Sequence, residues 1–413
     1  MQTVTRSFRT PLFLAVLLLL VGLLLVMRTP PTLAAGAAAP ALFSPVGTDC
    51  ATQTDIPQAE CQALVAFYTS TNGASWKDSP ANNWNVTQFP CSWTGVVCSA
   101  GSPGHVTQIQ LAGNNLVGSI PDLSALSSLQ ILFLYNNQLS GSIPALSAFS
   151  SLQILSLYGN QLSGSIPALS ALTSLQALDL GSNQLSGSIP ALSALTGLKY
   201  LFLYGNQLSG SIPTILPASL QYLSLNGNQL SGSIPALSAL TGLQFLYLNN
   251  NQLSGIVPAG VCNTTRVLDL GYNKLTGEAD PCVTTMDPDW ATTQTVPPTN
   301  VQAQALSDTE IKLTWTAIPY TGDGGYYKVL CGTTSGGPYN SQGTTADKTV
   351  TTLSAGSLSP GTPYYCVVRT FTPSHGDQQN NLTSLDSDKA TATTDAILYL
   401  PLQYHLHHLL AGD

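Results

Sequence analysis

Charge is scarce in this chain: 413 residues carry 12 Lys and Arg against 20 Asp and Glu, and 8% of the positions are charged. Three of the cations, Arg6, Arg9 and Arg28, fall within the first 35 residues. No basic stripe is left to neutralise phosphates, which disfavours nucleic acid, and no nucleic-acid partner is expected. Catalytic signatures are missing as well, since neither a G-x-S-x-G elbow nor a phosphate-binding glycine loop occurs. No His neighbours a cysteine at ligand spacing, so neither a metal nor a cofactor is expected. His405, His407 and His408 form an H-x-H-H cluster near the end, read as a terminal polar patch, and the "SHGD" of Ser374 to Asp377 is read as a surface turn.

What the chain does have is a repeat. Asn114, Asn137, Asn160, Asn183, Asn206, Asn228, Asn251 and Asn273 follow one another at steps of 23 or 22 residues. They sit in the pattern L-x-x-L-x-L-x-x-N-x-L-x-G-x-I-P, seen most cleanly from Leu152 to Pro167 and loosened in the first and last copies. Leu155 and Leu157, two apart, predict a short strand with both leucines on one face. A single coil buries too little apolar surface to offset its ordering entropy, so coils must stack, and eight copies suffice for a solenoid. The recurring asparagine both donates and accepts, which predicts a buried ladder of amides bonded to the backbone of adjacent coils.

Stacking also argues against hydrolysis by paired carboxylates. Asp179 and Asp269 lie on strands four repeats apart, about 19 Å at the spacing of neighbouring strands, whereas glycosidase pairs reach about 9.5 Å at most. Asp122 follows a proline, and His105 precedes the first strand with no carboxylate identifiable beside it. The chain is expected not to be an enzyme.

Residues 106 to 277 resemble the plant-type leucine-rich repeat, whose hallmark is L-x-G-x-I-P. The segment after I-P, "ALSALTS" at 168–174, is one residue shorter than usual, which predicts a compact convex side with little helix. The element C-x-W-x-G-V-x-C, here Cys91, Trp93, Gly95, Val96 and Cys98, resembles the N-terminal cap of that family. Similar 23-residue units, and a "YLPL" segment near the end like that at 399–402, occur in secreted bacterial proteins, so the resemblance is to a bacterial member.

Arg6 and Arg9, the apolar run from Pro11 to Met27 and the small residues near Ala34 and Ala35 read as a secretory signal over 1–35. The protein is then secreted or at the cell surface, and meets a membrane only if that segment stays uncleaved. Eight cysteines in an exported chain imply disulfides. They fall into Cys50 with Cys61, Cys91 with Cys98, Cys262 with Cys282, and Cys331 with Cys366, although sequence alone does not set the pairing. The N-terminal cap is placed at 36–105, the solenoid with its C-terminal cap at 106–282, and a Thr/Pro/Asp-rich linker at 283–296.

Beyond the linker, "IKLTW", "YYKVLC" and "PYYCVVRTF" alternate as short strands of a β-sandwich. Period-two counting brings Cys331 and Cys366 together in its core. Residues 297–395 resemble a fibronectin type III domain through Trp315, Tyr327 and "LSPGTPYY", in which Tyr364 would be the tyrosine corner; 396–413 is a tail. The fold class is mainly β, an eight-repeat leucine-rich solenoid with caps followed by this sandwich.

The x positions of each strand should project from the concave sheet, and aromatics gather there: Phe133, Tyr135, Tyr158, Tyr200, Phe202, Tyr204, Tyr222, Phe245, Tyr247 and Tyr272. Gln130, Gln153, Gln176, Gln221 and Gln244 run beside them. A nearly uncharged stripe of rings and amides suits an extracellular protein or polysaccharide. The family resemblance implies non-enzymatic recognition or adhesion, with inhibition of, or assistance to, polysaccharide-degrading enzymes as the alternative.

Overall fold

The computed structural model describes residues 47–77, 83–263, 265–277 and 280–396. The signal at 1–35 and the histidine cluster of the tail lie outside the described residues. Among the described residues no helix is long and apolar enough to cross a membrane.

Each repeat contributes a three-residue strand, and neighbouring strands pair in parallel, leucine against leucine. Leu132, Leu155, Leu178, Leu201, Leu223, Leu246 and Leu268 stand in one row. A slip of one residue would turn every leucine outward, so burial locks this register. The sheet has nine strands, beginning with Val96–Cys98 antiparallel to Val106–Gln110 and ending at Val267–Asp269. The Q-L-S-G-S segments, such as Gln161–Ser165 and Gln184–Ser188, build a second parallel ladder, and turns rather than helices close each coil. Within the coil of Leu152 to Pro167, Leu155, Leu157, Leu162 and Ile166 are at most 5% exposed.

The amide ladder is present. Asn183 Oδ1 accepts from Leu162 N at 3.0 Å, and its Nδ2 donates to Leu157 O at 3.0 Å and Leu180 O at 3.1 Å. At the C-terminal end Gln294 takes the ninth place. Its Oε1 accepts from Leu275 N and its Nε2 donates to Leu270 O, both at 3.0 Å. The extra methylene lets this residue reach the ladder from a chain that has left the repeat. The stretch read as a linker is therefore packed: helix α1 (Pro281–Met286) and the turn Trp290–Thr293 cover the last coil with buried Val283 and Trp290. Leucine periodicity stops there because the chain caps the stack instead of continuing it.

Four disulfides join Cys50 to Cys61, Cys91 to Cys98, Cys262 to Cys282 and Cys331 to Cys366. The first two lie in the N-terminal cap, where Phe67, Trp76, Trp84 and Trp93 pack ring on ring over the first coil. His105 does have a carboxylate beside it, contrary to the sequence reading: Glu60 Oε1 lies 2.6 Å from its Nδ1, while Glu60 Oε2 accepts from Val106 N at 2.7 Å. The two residues are 45 apart in sequence, and the pair ties the cap helix Gln58–Ser70 to the start of the strand Val106–Gln110.

In the sandwich, Cys331 and Cys366 are direct cross-strand partners. Trp315 packs edge-on against Tyr327 at 5.3 Å, and the Tyr364 hydroxyl accepts from Ser359 N at 3.0 Å, the bond a tyrosine corner makes. The "SHGD" segment is no simple surface turn. Asn380 Nδ2 donates to Asn228 O at 2.7 Å, Gln379 N donates to Asn250 Oδ1 at 3.3 Å, and His375 and Tyr320 both meet Tyr272 edge to face. Gln379 lies over Gly227, where a Cβ would stand 3.2 Å from its side-chain oxygen. Behind the joint, the fully buried Lys348 Nζ binds Asp323 Oδ2 at 2.5 Å, Thr372 Oγ1 at 2.8 Å and Tyr320 O at 3.1 Å. Thr372 in turn receives a bond from Thr295 at 2.7 Å. Replacing His375 and Asn380 together with Ala should loosen this joint and raise the rate of proteolytic nicking near Thr295 several-fold without unfolding either domain. An unchanged rate would mean the loop contributes nothing to the joint.

Candidate ligand-binding face

The in-register pairing arranges the concave side chains in columns running across the strands. One column reads Ile131, Ile154, Ala177, Tyr200, Tyr222, Phe245, Val267, and the next Phe133, Ser156, Asp179, Phe202, Ser224, Tyr247, Asp269. Just past the strand ends follow Tyr135, Tyr158, Gly181, Tyr204 and Asn226.

The rings are less exposed than the sequence reading expects. Phe133 and Phe202 are buried at 5% and 4%, and the other eight aromatics are half-buried. They shield one another: Phe202 and Tyr222 lie 4.6 Å apart, Tyr222 stacks on Phe245 at 4.9 Å, and Tyr222 meets Tyr247 at 5.7 Å. Burial, followed by the neighbouring Tyr247, pushes the Tyr222 hydroxyl well above its ordinary pKa. The Tyr200 hydroxyl donates to Gln221 Oε1 at 3.3 Å, linking the ring column to the glutamine column. Tyr272 belongs elsewhere. It lies beyond its strand with a positive φ of 57° and contacts Tyr320 and His375 of the sandwich, so it joins the domains and does not line the open face.

One polar group on this face escapes a search for rings. Asp179 is 2% exposed and accepts from Gly181 N at 3.0 Å and from Ser156 Oγ at 3.4 Å. Burial raises its pKa to about 7, against the opposing pull of those two hydrogen bonds. The Tyr158 and Tyr204 rings, just past the strands to either side, meet at 5.9 Å, and Tyr204 lies near enough to feel the carboxyl's charge. Burial and then the nearby Asp179 push the Tyr204 hydroxyl upward. The signal in the sequence was the run Ala177, Asp179, Gly181, where small and polar residues stand in place of Tyr200, Phe202 and Tyr204 of the next repeat.

Family comparisons agree with this architecture. Residues 57–99 match the leucine-rich repeat N-terminal domain, four overlapping segments between 127 and 258 match leucine-rich repeats, and 296–383 match the fibronectin type III domain. The chain is a leucine-rich repeat solenoid followed by a fibronectin type III domain. A probable leucine-rich repeat receptor-like protein kinase of Arabidopsis thaliana is 47% identical over 53 residues, 13% of this chain and 8% of the kinase. Among solved structures, the plant peptide hormone receptor RGFR1 in complex with RGF2 is 38% identical over 43% of this chain and 30% of the receptor, with a TM-score of 0.40. A fibronectin-type-III-like protein from Clostridium thermocellum is 31% identical over 24% of this chain and 90% of its own, with a TM-score of 0.19. The chain thus spans under a tenth of the kinase and about a third of the receptor.

Proposed function

We propose that this protein is an extracellular, non-enzymatic recognition protein whose concave leucine-rich repeat face receives an extended segment of a protein partner. The carrying observation is the mutual shielding of the rings. Sugar rings stack on open aromatic faces, and here Phe202, Tyr222, Phe245 and Tyr247 pack against one another at 4.6 to 5.7 Å. Ring edges, tyrosine hydroxyls and glutamine amides remain, and these suit the alternating side chains and backbone amides of an extended peptide. Four disulfides and the absence of free cysteine among the described residues support the extracellular placement.

The test is to present the full chain to a displayed random peptide library, a glycan array and a set of polysaccharide-degrading enzymes. Peptide capture is expected, and a Tyr200→Ala, Phe245→Ala double variant should weaken it at least about tenfold. Ile215→Ala, at a site 66% exposed and off the concave strands, should leave capture unchanged. Glycan capture alone, or enzyme capture with loss of enzyme activity, would replace this reading. Phe202 is left out of the variant because its burial makes it part of the sheet's packing.

A further inference from the structure

The strand Ala177–Asp179 and the residues just past it form a break in the aromatic face. The strands on either side present Ile154, Ser156, Tyr158 and Tyr200, Phe202, Tyr204; this one presents Ala177, Asp179 and Gly181. Glycine at 181 leaves room for the Tyr204 ring, since a Cβ there would stand 2.6 to 2.9 Å from it. The ring lies across the gap toward Tyr158, at 5.9 Å between centroids, and near enough to the Asp179 carboxyl to feel its charge. That carboxyl makes no ion pair among the described residues, and its hydrogen bonds come from one backbone N–H and one serine hydroxyl. The arrangement holds a buried carboxyl and two tyrosine rings beside the gap, and no cation pairs with the carboxyl among the described residues.

We propose that Tyr158 and Tyr204 part to admit an arginine or lysine side chain of the bound peptide, with its cation against the Asp179 carboxylate and between the two rings. The inference rests on the peptide-binding reading of the concave face. Three physical terms favour this guest. The cation forms a charge-assisted hydrogen bond with a carboxylate that no cation now pairs, it meets two π faces, and it removes the reason for the carboxyl to hold a proton. Ala177 and Ser156 beside the gap are small, so the displaced rings open onto space that a long aliphatic stem can cross. Because burial holds the empty carboxyl near pH 7, guest binding should release a proton, and affinity should rise between pH 5 and pH 8.

A random heptamer display library is panned at pH 8 against the full chain and against Asp179→Asn, which keeps the side-chain shape. Peptides enriched on the native chain are expected to share an Arg or Lys. A synthetic copy of the best binder should bind at least about tenfold more weakly to Asp179→Asn, and should weaken comparably when its own basic residue becomes Gln. Its affinity for the native chain should fall from pH 8 to pH 5, and that dependence should vanish in Asp179→Asn. Enriched peptides without a shared cation, bound equally by both proteins, would overturn the cation site and leave the concave-face reading standing. Failure of any peptide to enrich would overturn both. Urea unfolding of Asp179→Asn at pH 8 separates lost binding from lost folding.

Discussion

Replacing Asn183 with Ala is expected to cost about 3 kcal/mol, and replacing it with Asp more, although Asp is the closer match in shape. The accounting follows from the ladder. Three carbonyls receive bonds from Asn183 Nδ2, and each has a second partner: Leu157 O receives Asn160, Leu180 O receives Asn206, and Gly181 O receives Gly159 N. The Leu162 N–H has no such reserve, because Asn183 Oδ1 is its acceptor. Alanine therefore strands one buried donor and leaves a small gap, worth roughly 1 to 3 kcal/mol for the donor plus a cavity term. Aspartate keeps the acceptor but turns a second, negative oxygen toward the three carbonyls. Urea unfolding at neutral pH checks the order. A coil that fails in mid-stack also separates its neighbours, so the Asp variant should broaden the transition or split it in two. Equal stability of the two variants would mean the amide's N–H groups contribute little.

The ladder was legible because the repeat is local and strict: a strand of three residues, a turn and an asparagine recur with the same spacing, and spacing is what sequence displays. The cysteines of the sandwich were legible for a similar reason, since strand alternation alone placed Cys331 and Cys366 on facing sides. Gln294 was hidden because the same role is filled by a different residue outside the periodic segment. Glu60 beside His105, and the contact of Asn380 with Asn228, join residues 45 and 152 apart. No local pattern encodes such meetings. On the candidate face, period-two counting gave the direction of each side chain and not its exposure. Phe202 points to the concave side and is still buried, because Tyr222 covers it. Tyr272 was misplaced for a related reason: it lies past the strand, where the left-handed backbone turns it toward the sandwich. Asp179 entered the sequence reading only as half of a carboxylate pair, and its distance from Asp269 set it aside. Its burial depends on Gly181 and on two tyrosines in other repeats, and that appears only once the coils are stacked.

Asp179 should also make the native protein less stable as pH rises, and Asp179→Asn should abolish that loss. The folded carboxyl titrates at about 7 where an ordinary aspartate titrates at 3.8, so over this interval the folded state binds a proton that the unfolded chain has released. A raised carboxyl pKa means that stability is greatest below 3.8 and declines as pH climbs to about 7. At about 1.4 kcal/mol per pH unit the full decline is about 4 kcal/mol, a large fraction of what a domain has to lose. Asparagine preserves both contacts, since its Oδ1 can accept from Gly181 N and its Nδ2 can donate to Ser156 Oγ. The two proteins should therefore be close in stability at pH 4, with the variant ahead by about 4 kcal/mol at pH 8, by urea unfolding at a series of pH values. Other ionisable groups contribute to both curves and cancel in the difference. A difference that stays constant with pH would show that water reaches the carboxyl beside the tyrosines, and the site would then have no buried charge to satisfy. A difference that grows as expected would show that the chain retains a destabilising carboxylate at the centre of its concave face, where an amide of the same shape would fold better. Such a cost is the mark of a group kept for binding, and the cationic peptide side chain is the partner that would remove it.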